Sequence, residues 1–456
     1  MASSSILPSN QSQRKKVLRV IFISLLLDLI SFTFILPLFP SLLNFYLQRD
    51  PSPTSLLNRI FHYLNAYKNA FAKPIDSRYD IVLLGGALGS LFSLLQAIAA
   101  PVIGRLSDKH GRRTALLWSM VGNIFSVALW VAATDFRTFL ASRVVGGLSE
   151  GNVQIANAIA TDISDESQRG ATMAMVGACF SIAFTCGPAL GAALANITTI
   201  AANPFATAAG FSLFLIVVET LYLYLYLPET HPKFVRKESA SPSSNGAEKK
   251  DSQSTTKQTK PAGKKEYTNH PALLNLVHLL FLLPFSGMEF SLPFLTATLL
   301  GDNTTTNPSA LNGRILSIMG LIASLLQGTV VRRLPPLLTI RIGVVCCTVA
   351  FFLLARITSI AGLHAAACFL AVTSATVVTG LNSLGSFEAD EGDRGVVLGR
   401  LRSWGQVGRA AGPIVFCSFF WWVGREVAYT AGGVAMLGVC AIVFGGLRAP
   451  GGKKAA

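Results

Sequence analysis

The chain has 456 residues, of which 51% are hydrophobic and only 13% are charged. Because soluble domains carry about 25% charged residues, this composition excludes most water-soluble enzymes and favours a protein surrounded by lipid. The formal net charge of +15 is also typical of proteins that bind nucleic acid. No nucleic-acid partner is expected here, since the basic residues are concentrated between apolar segments.

Twelve apolar segments along the chain are long enough to cross a bilayer, which requires about 20 residues per helix. They occupy more than half of the chain and predict an all-α membrane protein with twelve transmembrane helices. The segments, numbered as spans 1 to 12, are residues 19–46, 79–103, 114–133, 137–162, 169–194, 204–227, 272–299, 311–331, 338–356, 361–385, 395–422 and 427–447.

The spans divide into two groups of six, separated by one long polar segment. Residues 228–270 are rich in Ser, Thr, Lys and Gly and lack hydrophobic periodicity, which predicts a flexible cytosolic linker. We therefore expect an N-terminal six-helix bundle at 19–227 and a C-terminal six-helix bundle at 271–447. The flanking residues, 1–18 and 448–456, are predicted to be cytosolic tails.

The two groups of spans are similar in sequence. Arg169 and Gly187 in span 5 are 18 residues apart, as are Arg394 and Gly412 in span 11, and both glycines precede a proline. The segment FILPLFP of span 1 has a counterpart, FSLPFLT, in span 7. A parallel duplication of this kind gives two pseudo-symmetric bundles with a substrate site between them near the middle of the bilayer. This architecture is typical of carriers that work by alternating access.

The basic residues predict the orientation of the bundles. With twelve spans both termini lie on the same side. Placing the termini in the cytosol puts 25 of the 38 Lys and Arg residues in cytosolic tails and loops, 9 outside and 4 within spans. This distribution agrees with the excess of Lys and Arg in cytosolic loops of membrane proteins. A multi-pass protein with cytosolic termini is therefore expected, with the plasma membrane and organelle membranes as alternatives.

The loop after span 2 carries the most specific motif in the sequence. It reads GRLSDKHGRR from Gly104 to Arg113, and we expect Asp108 to pair with Arg112 and Arg113, one helical turn away. Gly104 and Gly111 allow a tight reversal between the two helices. The motif resembles the GxLxDxxGRR signature of the major facilitator superfamily.

This resemblance implies a role for the loop in conformational gating. In the superfamily the loop latches the two halves together on the cytosolic side, and its acidic residue lies near the start of span 11. By resemblance, Asp108, Arg112 and Arg113 are gate residues that do not touch substrate. The equivalent loop after span 8, residues 328–333, has no acidic residue, so the sequence gives no support for a second latch.

Span 5 contains a predicted bending element. Gly187, Pro188 and Gly191 loosen the helix and allow a neighbouring helix to approach. The segment resembles the GPxxGG motif of proton-coupled drug antiporters, although Ala192 replaces the final glycine; a kinked span without that role is the alternative.

Other segments resemble one branch of the superfamily. The segments LLLDLISFTFILPLFP, ATDISDESQRG and LPET resemble the tetracycline-efflux proteins. The chain is most similar to the eukaryotic tetracycline-transporter-like group, whose members are regarded as carriers of organic anions and drugs.

Charged residues inside the spans are candidates for proton coupling. By resemblance, spans 1, 4, 7 and 10 line the central cavity, so Asp28, Glu150 and Glu289 are expected to face it. A carboxyl group in a low-dielectric cavity can bind and release a proton as the cavity alternates between two aqueous faces. Arg143, with Gly147, resembles the RxxxG motif associated with proton coupling. The alternative is that the acids form fixed ties between helices and that Arg143 extends to the membrane surface.

Three further charged residues within spans are interpreted as structural. By resemblance, span 6 lies at the periphery of the superfamily fold, so Glu219 is predicted to be neutralised or to extend to the membrane surface, with proton coupling as the alternative. Arg400 and Arg402 in span 11 are expected to meet Asp108 or other cytosolic acids. The alternative for Arg402, which is seven residues before Arg409 and hence on the same face of span 11, is an anionic substrate group.

Polar side chains predict a mixed cavity for an amphipathic substrate. A deep guanidinium group such as that of Arg409 favours an anionic carboxylate, sulfonate or phosphate, although a structural role for Arg409 is the alternative. Neutral hydrogen-bonding groups suit amphipathic organic molecules better than inorganic ions. Those assigned to the cavity are Gln96, Gln154, Asn157 and Gln327.

The sequence contains no signature of an enzyme. It has no GxxxxGK[ST] loop for ATP and no metal-ligand spacing among its seven cysteines, so neither a cofactor nor a metal is expected. Asn196 and Asn303 match the glycosylation pattern close to the membrane. The leading hypothesis is a monomeric, proton-coupled efflux carrier of small amphipathic molecules, including organic anions, in a lipid bilayer. An uncoupled facilitator and a non-transporting membrane receptor or scaffold are the alternatives.

Overall fold

The computed structural model describes residues 11–72, 80–195, 197, 203–239, 268–300 and 308–450, and all regular secondary structure in these ranges is helical. The helices before the polar linker are α1 Gln11–Thr33, α2 Phe39–Arg49, α3 Leu56–Asn69, α4 Asp80–His110, α5 Arg112–Ala132, α6 Phe136–Ser149, α7 Asn152–Asp162, α8 Arg169–Ala195 and α9 Ala206–Tyr226.

The remaining helices form the second half of the molecule. They are α10 Pro232–Ser239, α11 Pro271–Leu300, α12 Pro308–Thr329, α13 Pro336–Ala355, α14 Ile360–Phe387, α15 Arg394–Val423 and α16 Arg425–Gly446. Short 3₁₀ helices lie at Leu36–Leu38, Glu166–Gln168 and Val331–Arg333.

Ten helical segments of the described chain are long and apolar enough to cross a membrane. The other two predicted spans correspond to the α6–α7 pair and to α15. The apolar character of α15 is interrupted by Arg400, Arg402 and Arg409. The predicted fold class, an all-α membrane protein with twelve spans in two six-helix bundles, is confirmed.

Span 4, predicted as one helix over 137–162, is broken in the middle. Glu150 has an extended backbone with ψ of 95° and ends α6, and α7 begins after Gly151. The Ser119 hydroxyl of α5 occupies the break, because it donates to the Ser149 carbonyl (2.5 Å) and accepts the Gly151 N–H (2.8 Å). The break therefore comes from a side chain that replaces a backbone hydrogen bond.

Each half packs around its own hydrophobic core. Trp130 is fully buried in the N-terminal half and Trp421 in the C-terminal half. Between the halves, α4 packs against α15, and α8 packs against α12 and α14. We call the side of the molecule that carries residues 104–113 the motif face, and the opposite side, which carries α3, the far face.

Helix α3 connects the halves on the far face and was not predicted. The Tyr67 hydroxyl forms a hydrogen bond with the Ser418 hydroxyl of α15, and the Tyr67 ring packs edge-on against Trp421. At the end of α3, Lys68 is 4% exposed and pairs with Asp80 (2.5 Å). On the far face, α3 thus joins the two halves by a hydrogen bond and an aromatic contact.

The segment predicted as a flexible linker, 228–270, contains the short helix α10 at its start. At its end, the Asn269 N–H donates to Glu388 (2.8 Å). Outside the described residues lie the main part of the linker at 240–267, residues 1–10 and 451–456 of the predicted tails, and the predicted glycosylation sites Asn196 and Asn303.

Candidate functional site

A buried charge cluster joins the two halves on the motif face. Arg112 is fully buried and donates to Asp108 (Nη1–Oδ1 2.6 Å) and to Asp162 (Nε–Oδ2 2.7 Å). Arg394 of α15, in the other half, donates to the second oxygen of Asp162 (2.9 Å). Buried charges are stable only when they are paired and hydrogen-bonded, and here two guanidinium groups balance two carboxylates. We call these four residues junction A.

Asp108 also caps the first turn of α15. Its carboxylate accepts the backbone N–H groups of Gly395 (2.9 Å) and Val396 (2.7 Å). The first N–H groups of a helix have no partners within the helix and favour a negative charge. Gly104 permits this approach, because a Cβ atom there would collide with the Gly395 carbonyl. The motif therefore contacts the start of span 11 directly.

The other motif residues hold the loop in place. Gly111 has a φ of +96°, which L side chains rarely adopt. The Glu229 carboxylate accepts the backbone N–H groups of Arg112 (2.8 Å) and Arg113 (3.2 Å). The Arg113 guanidinium donates to the Tyr224 carbonyl (2.7 Å) and lies over the Tyr224 ring. The predicted ion pair of Arg113 is therefore replaced by contacts with α9.

His231 lies at the edge of junction A and is fully buried. Its Nδ1 accepts the Lys233 N–H (3.2 Å), so the proton of the neutral ring is on Nε2, 4.0 Å from Asp108 Oδ1. Burial lowers the pKa of His231 below its usual value, and the Arg112 guanidinium acts in the same direction, against the neighbouring carboxylates. The ring is therefore neutral at neutral pH.

The equivalent contact in the other half has different chemistry. Arg169, at the start of α8, donates to the Ser386 carbonyl (3.3 Å), and its guanidinium lies 4.9 Å from the Phe387 ring centroid. The 3₁₀ helix Val331–Arg333, in the loop after span 8, packs against α8. We call Arg169, Ser386 and Phe387 junction B.

A cavity of about 40 Å³ lies inside the N-terminal half, between α1, α4, α5, α6 and α9. It is large enough for at least one water molecule. Asp28, Arg143 and Glu150 line it and are 4%, 8% and 9% exposed. Arg143 faces this cavity with its guanidinium 5.8 Å from the Trp130 ring. The structure thus brings together three of the residues that the sequence assigned to proton coupling.

Arg402 of α15 approaches these residues from the other half. It interacts electrostatically with Glu150 and Asp28, and its Nε atom has no hydrogen-bond partner among the described residues. The expectation that Arg402 meets Asp108 is wrong, because Asp108 is bound at the first turn of α15, about two turns away. In the sequence, the seven-residue spacing of Arg402 and Arg409 puts both on one face of α15. This spacing is the feature that indicates a location of Arg402 inside the molecule.

Glu289 and Arg409 form an ion pair in the C-terminal half (3.9 Å), and their side chains are 35% and 43% exposed. Arg409 also lies within electrostatic reach of Arg402. Charged groups therefore extend from Glu150 through the two arginines to Glu289. Asp28 and Glu289, on corresponding spans, differ in that Asp28 is buried and Glu289 is partly open.

The neutral residues assigned to the cavity have separate positions. Gln96 lies beside Glu150, and Asn157 is buried on α7. Gln154 donates to a carbonyl of α4 (3.0 Å). Gln327 accepts from a hydroxyl of α8 (2.8 Å) and donates to a carbonyl of α14 (3.2 Å). Of these four, Gln96 is the one beside the charged cavity residues, whereas Gln327 connects the two halves.

The predicted bending element lies where α8 meets α1. A Cβ atom on Gly187 would collide with Thr33, and one on Gly191 would collide with the Phe34 backbone. Pro188 lies inside α8, which continues past it. The glycines therefore allow the close approach of α1 that the sequence predicted.

Comparisons with known proteins agree with this architecture. The sequence pattern described as Major Facilitator Superfamily matches residues 21–413. The chain is 34% identical over 451 residues to mouse "Major facilitator superfamily domain-containing protein 10", covering 96% of this chain and 92% of the relative. It is 34% identical over 149 residues to "Tetracycline resistance protein, class G" of Vibrio anguillarum, covering 32% of this chain and 36% of that protein.

The fold is similar to that in the crystal structure of the human organic anion transporter MFSD10 (TETRAN). The TM-score is 0.81 at 30% sequence identity, covering 94% of this chain and 99% of the human chain. The chain therefore belongs to the major facilitator superfamily, a family of membrane carriers rather than enzymes.

Proposed function

We propose that this carrier moves small amphipathic organic molecules, including organic anions and drugs, by alternating access and proton antiport. The observation that carries the proposal is the electrostatic interaction of Arg402, which comes from the C-terminal half, with Asp28 and Glu150 of the N-terminal half. The charge balance of this cluster depends on how the two halves sit together.

The cluster supplies a physical reason for coupling. Asp28 and Glu150 are both buried, and a buried carboxylate is stable only with a compensating cation or a bound proton. When the halves rock, α15 withdraws Arg402 from the N-terminal half. The two acids then bind protons, and release them when Arg402 returns. Arg143, on the wall of the same cavity, favours the ionised state of Glu150.

The same arginines suit an anionic substrate. A substrate carboxylate or sulfonate that binds Arg402 or Arg409 competes with the protein's own acids for the guanidinium groups. Glu289, already 3.9 Å from Arg409, balances that charge when no substrate is bound. Similarity to a human protein described as an organic anion transporter and to tetracycline resistance proteins supports this substrate class.

Junction A supplies the gate in this proposal. Its contacts hold the motif face closed, so substrate on that side enters only after Asp108 and Asp162 leave the start of α15. The excess of Lys and Arg in the loops on this side supports a cytosolic motif face and cytosolic termini. Gly187 and Gly191, at the contact of α8 with α1, are proposed as the points where the N-terminal bundle bends.

The test is transport by the purified protein in liposomes under an imposed pH gradient. Tetracycline and an amphipathic carboxylate dye serve as probe substrates. We expect proton-driven accumulation that falls at least about tenfold in Asp28→Asn and in Glu150→Gln. Glu166→Gln, which neutralises an exposed acid on the motif face, is the matched control and should transport normally.

Two other results would replace the proposal. Flux that does not depend on the pH gradient and is unchanged in Asp28→Asn and in Glu150→Gln would show an uncoupled facilitator. Absence of flux for every probe, with the protein folded, would favour a receptor or scaffold.

A further inference from the structure

Glu219 of α9 is a buried acid outside the cluster described above. Its side chain has no exposed surface, and its Oε1 accepts a hydrogen bond from the Ser24 hydroxyl of α1 (2.6 Å). No donor reaches Oε2 among the residues that the structure describes. Of the two predicted alternatives, extension of Glu219 to the membrane surface is therefore wrong, because Glu219 faces α1 inside the bundle, and a neutralised Glu219 remains.

The charges around Glu219 disfavour its ionised form. The Asp28 carboxyl interacts electrostatically with the Glu219 carboxyl, and both groups are negative when ionised. A buried carboxylate without a cation is strongly disfavoured and binds a proton instead. The cations on the helices packed against α9 lie toward the motif face, and none of them forms an ion pair with Glu219 among the residues that the structure describes: Arg14, Lys15, Lys16 and Arg19 of α1, Arg112 and Arg113 of α5, and Arg169 of α8.

Glu219 lies close to Asp28. Its hydrogen-bond partner Ser24 precedes Asp28 on α1 by about one helical turn. On the other side of Asp28, the Ser31 hydroxyl of α1 and the Ser212 hydroxyl of α9 form a hydrogen bond (2.5 Å), and both serines line the cavity, as do Asp28 and Ile216. Glu219 lies about one helical turn beyond Ile216 on α9, so a single turn separates it from a space that can hold water.

We propose that Glu219 is a further proton-binding site of the N-terminal half, in addition to Asp28 and Glu150, and that it exchanges its proton with Asp28. The O–H bond of the Glu219 carboxyl breaks, the proton passes through water at the edge of the cavity, and a new O–H bond forms on the Asp28 carboxylate. The resulting Glu219 carboxylate keeps the hydrogen bond from Ser24, and the reverse transfer restores the acid. The role of this exchange in transport rests on the proposed function, since the exchange contributes to transport only if Asp28 carries protons.

The first test compares Glu219→Gln with Thr220→Val in the liposome assay. Gln has the shape of the protonated acid and can accept the hydrogen bond from Ser24, so a purely structural Glu219 tolerates it. We expect E219Q to lower proton-driven accumulation by about tenfold or more and to keep substrate exchange at equal pH within about twofold of wild type. T220V removes a hydroxyl that bonds within α9 and should leave both rates unchanged. Wild-type accumulation by E219Q would overturn the proposal.

The second test does not depend on transport. Infrared spectroscopy of the full-length protein in lipid should show the C=O stretch of a protonated carboxyl group in apolar surroundings, and this band should disappear in E219Q and persist in T220V. If wild-type protein shows no proton-driven flux but the band is present, the proposed function fails while Glu219 is still a proton-binding site. If the band is absent at neutral pH, Glu219 is ionised and the proposal is wrong.

Discussion

Junctions A and B occupy equivalent positions in the two halves but are held by different chemistry. Asp162 lies seven residues before Arg169, and Phe387 lies seven residues before Arg394. The contacts cross between the halves. Arg394 binds the Asp162 carboxylate (2.9 Å), whereas Arg169 lies over the Phe387 ring (4.9 Å). The two halves share this geometry, with an ion pair at junction A and a cation–π contact at junction B.

This difference indicates which contact controls opening of the motif face. Removing one partner of a buried ion pair costs about 3–5 kcal/mol, whereas a cation–π contact contributes about 0.5–2 kcal/mol. Junction A also includes Asp108 and its hydrogen bonds to the first turn of α15. We therefore expect the motif face to open when junction A breaks, while junction B adjusts at smaller cost.

Breaking junction A at its centre should have the largest effect. Asp162→Asn leaves Arg112 and Arg394 buried without one of their carboxylate partners, and should lower the free energy of unfolding by about 3–5 kcal/mol. Asp165→Asn, an exposed acid in the same loop, should change it by less than about 0.5 kcal/mol. Unfolding by SDS titration of the purified protein measures both. Equal stability of the two variants would mean that junction A is not the dominant contact.

Local features of both junctions could be predicted from the sequence. The apolar windows predicted twelve spans because lipid requires about 20 apolar residues per helix. The pairing of Asp108 with Arg112 could be predicted because these residues are one turn apart on the chain. The repeat around Arg169 and Arg394 showed that the two halves are related.

Features that depend on packing between distant segments were missed. The break at Glu150 is caused by Ser119 on another helix, and helix propensity alone does not report it. The seven-residue spacing of Arg402 and Arg409 showed that both lie on one side of α15. It did not predict that Arg402 interacts with Asp28 and Glu150. For Glu219, the sequence left a neutralised side chain and one that extends to the membrane surface as alternatives, since no local pattern predicts its hydrogen bond to Ser24.

Weakening the helix cap should have a smaller effect than breaking the ion pair. Asp108→Asn keeps an oxygen that can accept one N–H group of α15 and leaves Arg112 its ion pair with Asp162. It removes the charge that caps α15 and pairs with Arg112, a change of at least about 1 kcal/mol. The open population of the motif face should rise at least about fivefold, since 1.4 kcal/mol corresponds to a tenfold change. Spin labels on the exposed residues Lys109 and Arg333, one on each half, report the change by electron paramagnetic resonance.

The control for this measurement is Arg105→Gln, which changes the charge of an exposed residue in the same loop. Its distance distribution should match that of the doubly labelled parent. A closed population in Asp108→Asn equal to that of the parent would show that the cap of α15 does not hold the gate.

Junction B should tolerate substitution better. Arg169→Lys keeps the charge but loses the planar group that lies over Phe387, at a cost of about 0.5–1 kcal/mol. Phe387→Leu should cost about the same, and Phe387→Tyr should be neutral because it keeps a ring. SDS titration again measures the free energy of unfolding. If these variants lowered the free energy of unfolding as much as Asp162→Asn does, junction B would contribute as much to stability as junction A.

The smallest expected effect is a pH dependence specific to junction A. The pKa of His231 is lowered in the folded protein, first by burial and then by Arg112, so the closed junction favours the neutral ring. The free energy of unfolding therefore has its full value when the imidazole of the unfolded chain is also neutral, above the unfolded pKa of about 6.5. It decreases as the pH falls through that value, because the unfolded chain then binds a proton that the folded chain does not.

His231→Gln removes this titration and leaves the other residues of the site unchanged, so the difference between the two proteins isolates the imidazole. The melting temperature of the wild type relative to His231→Gln should therefore decrease between pH 7.5 and pH 5.5, with the decrease beginning near the unfolded pKa of about 6.5. Parallel melting curves across this range would show that His231 binds its proton equally well in the closed junction, so that its burial there has no energetic consequence. Because junction B contains no histidine among its three residues, a difference in pH dependence between the wild type and His231→Gln is specific to junction A.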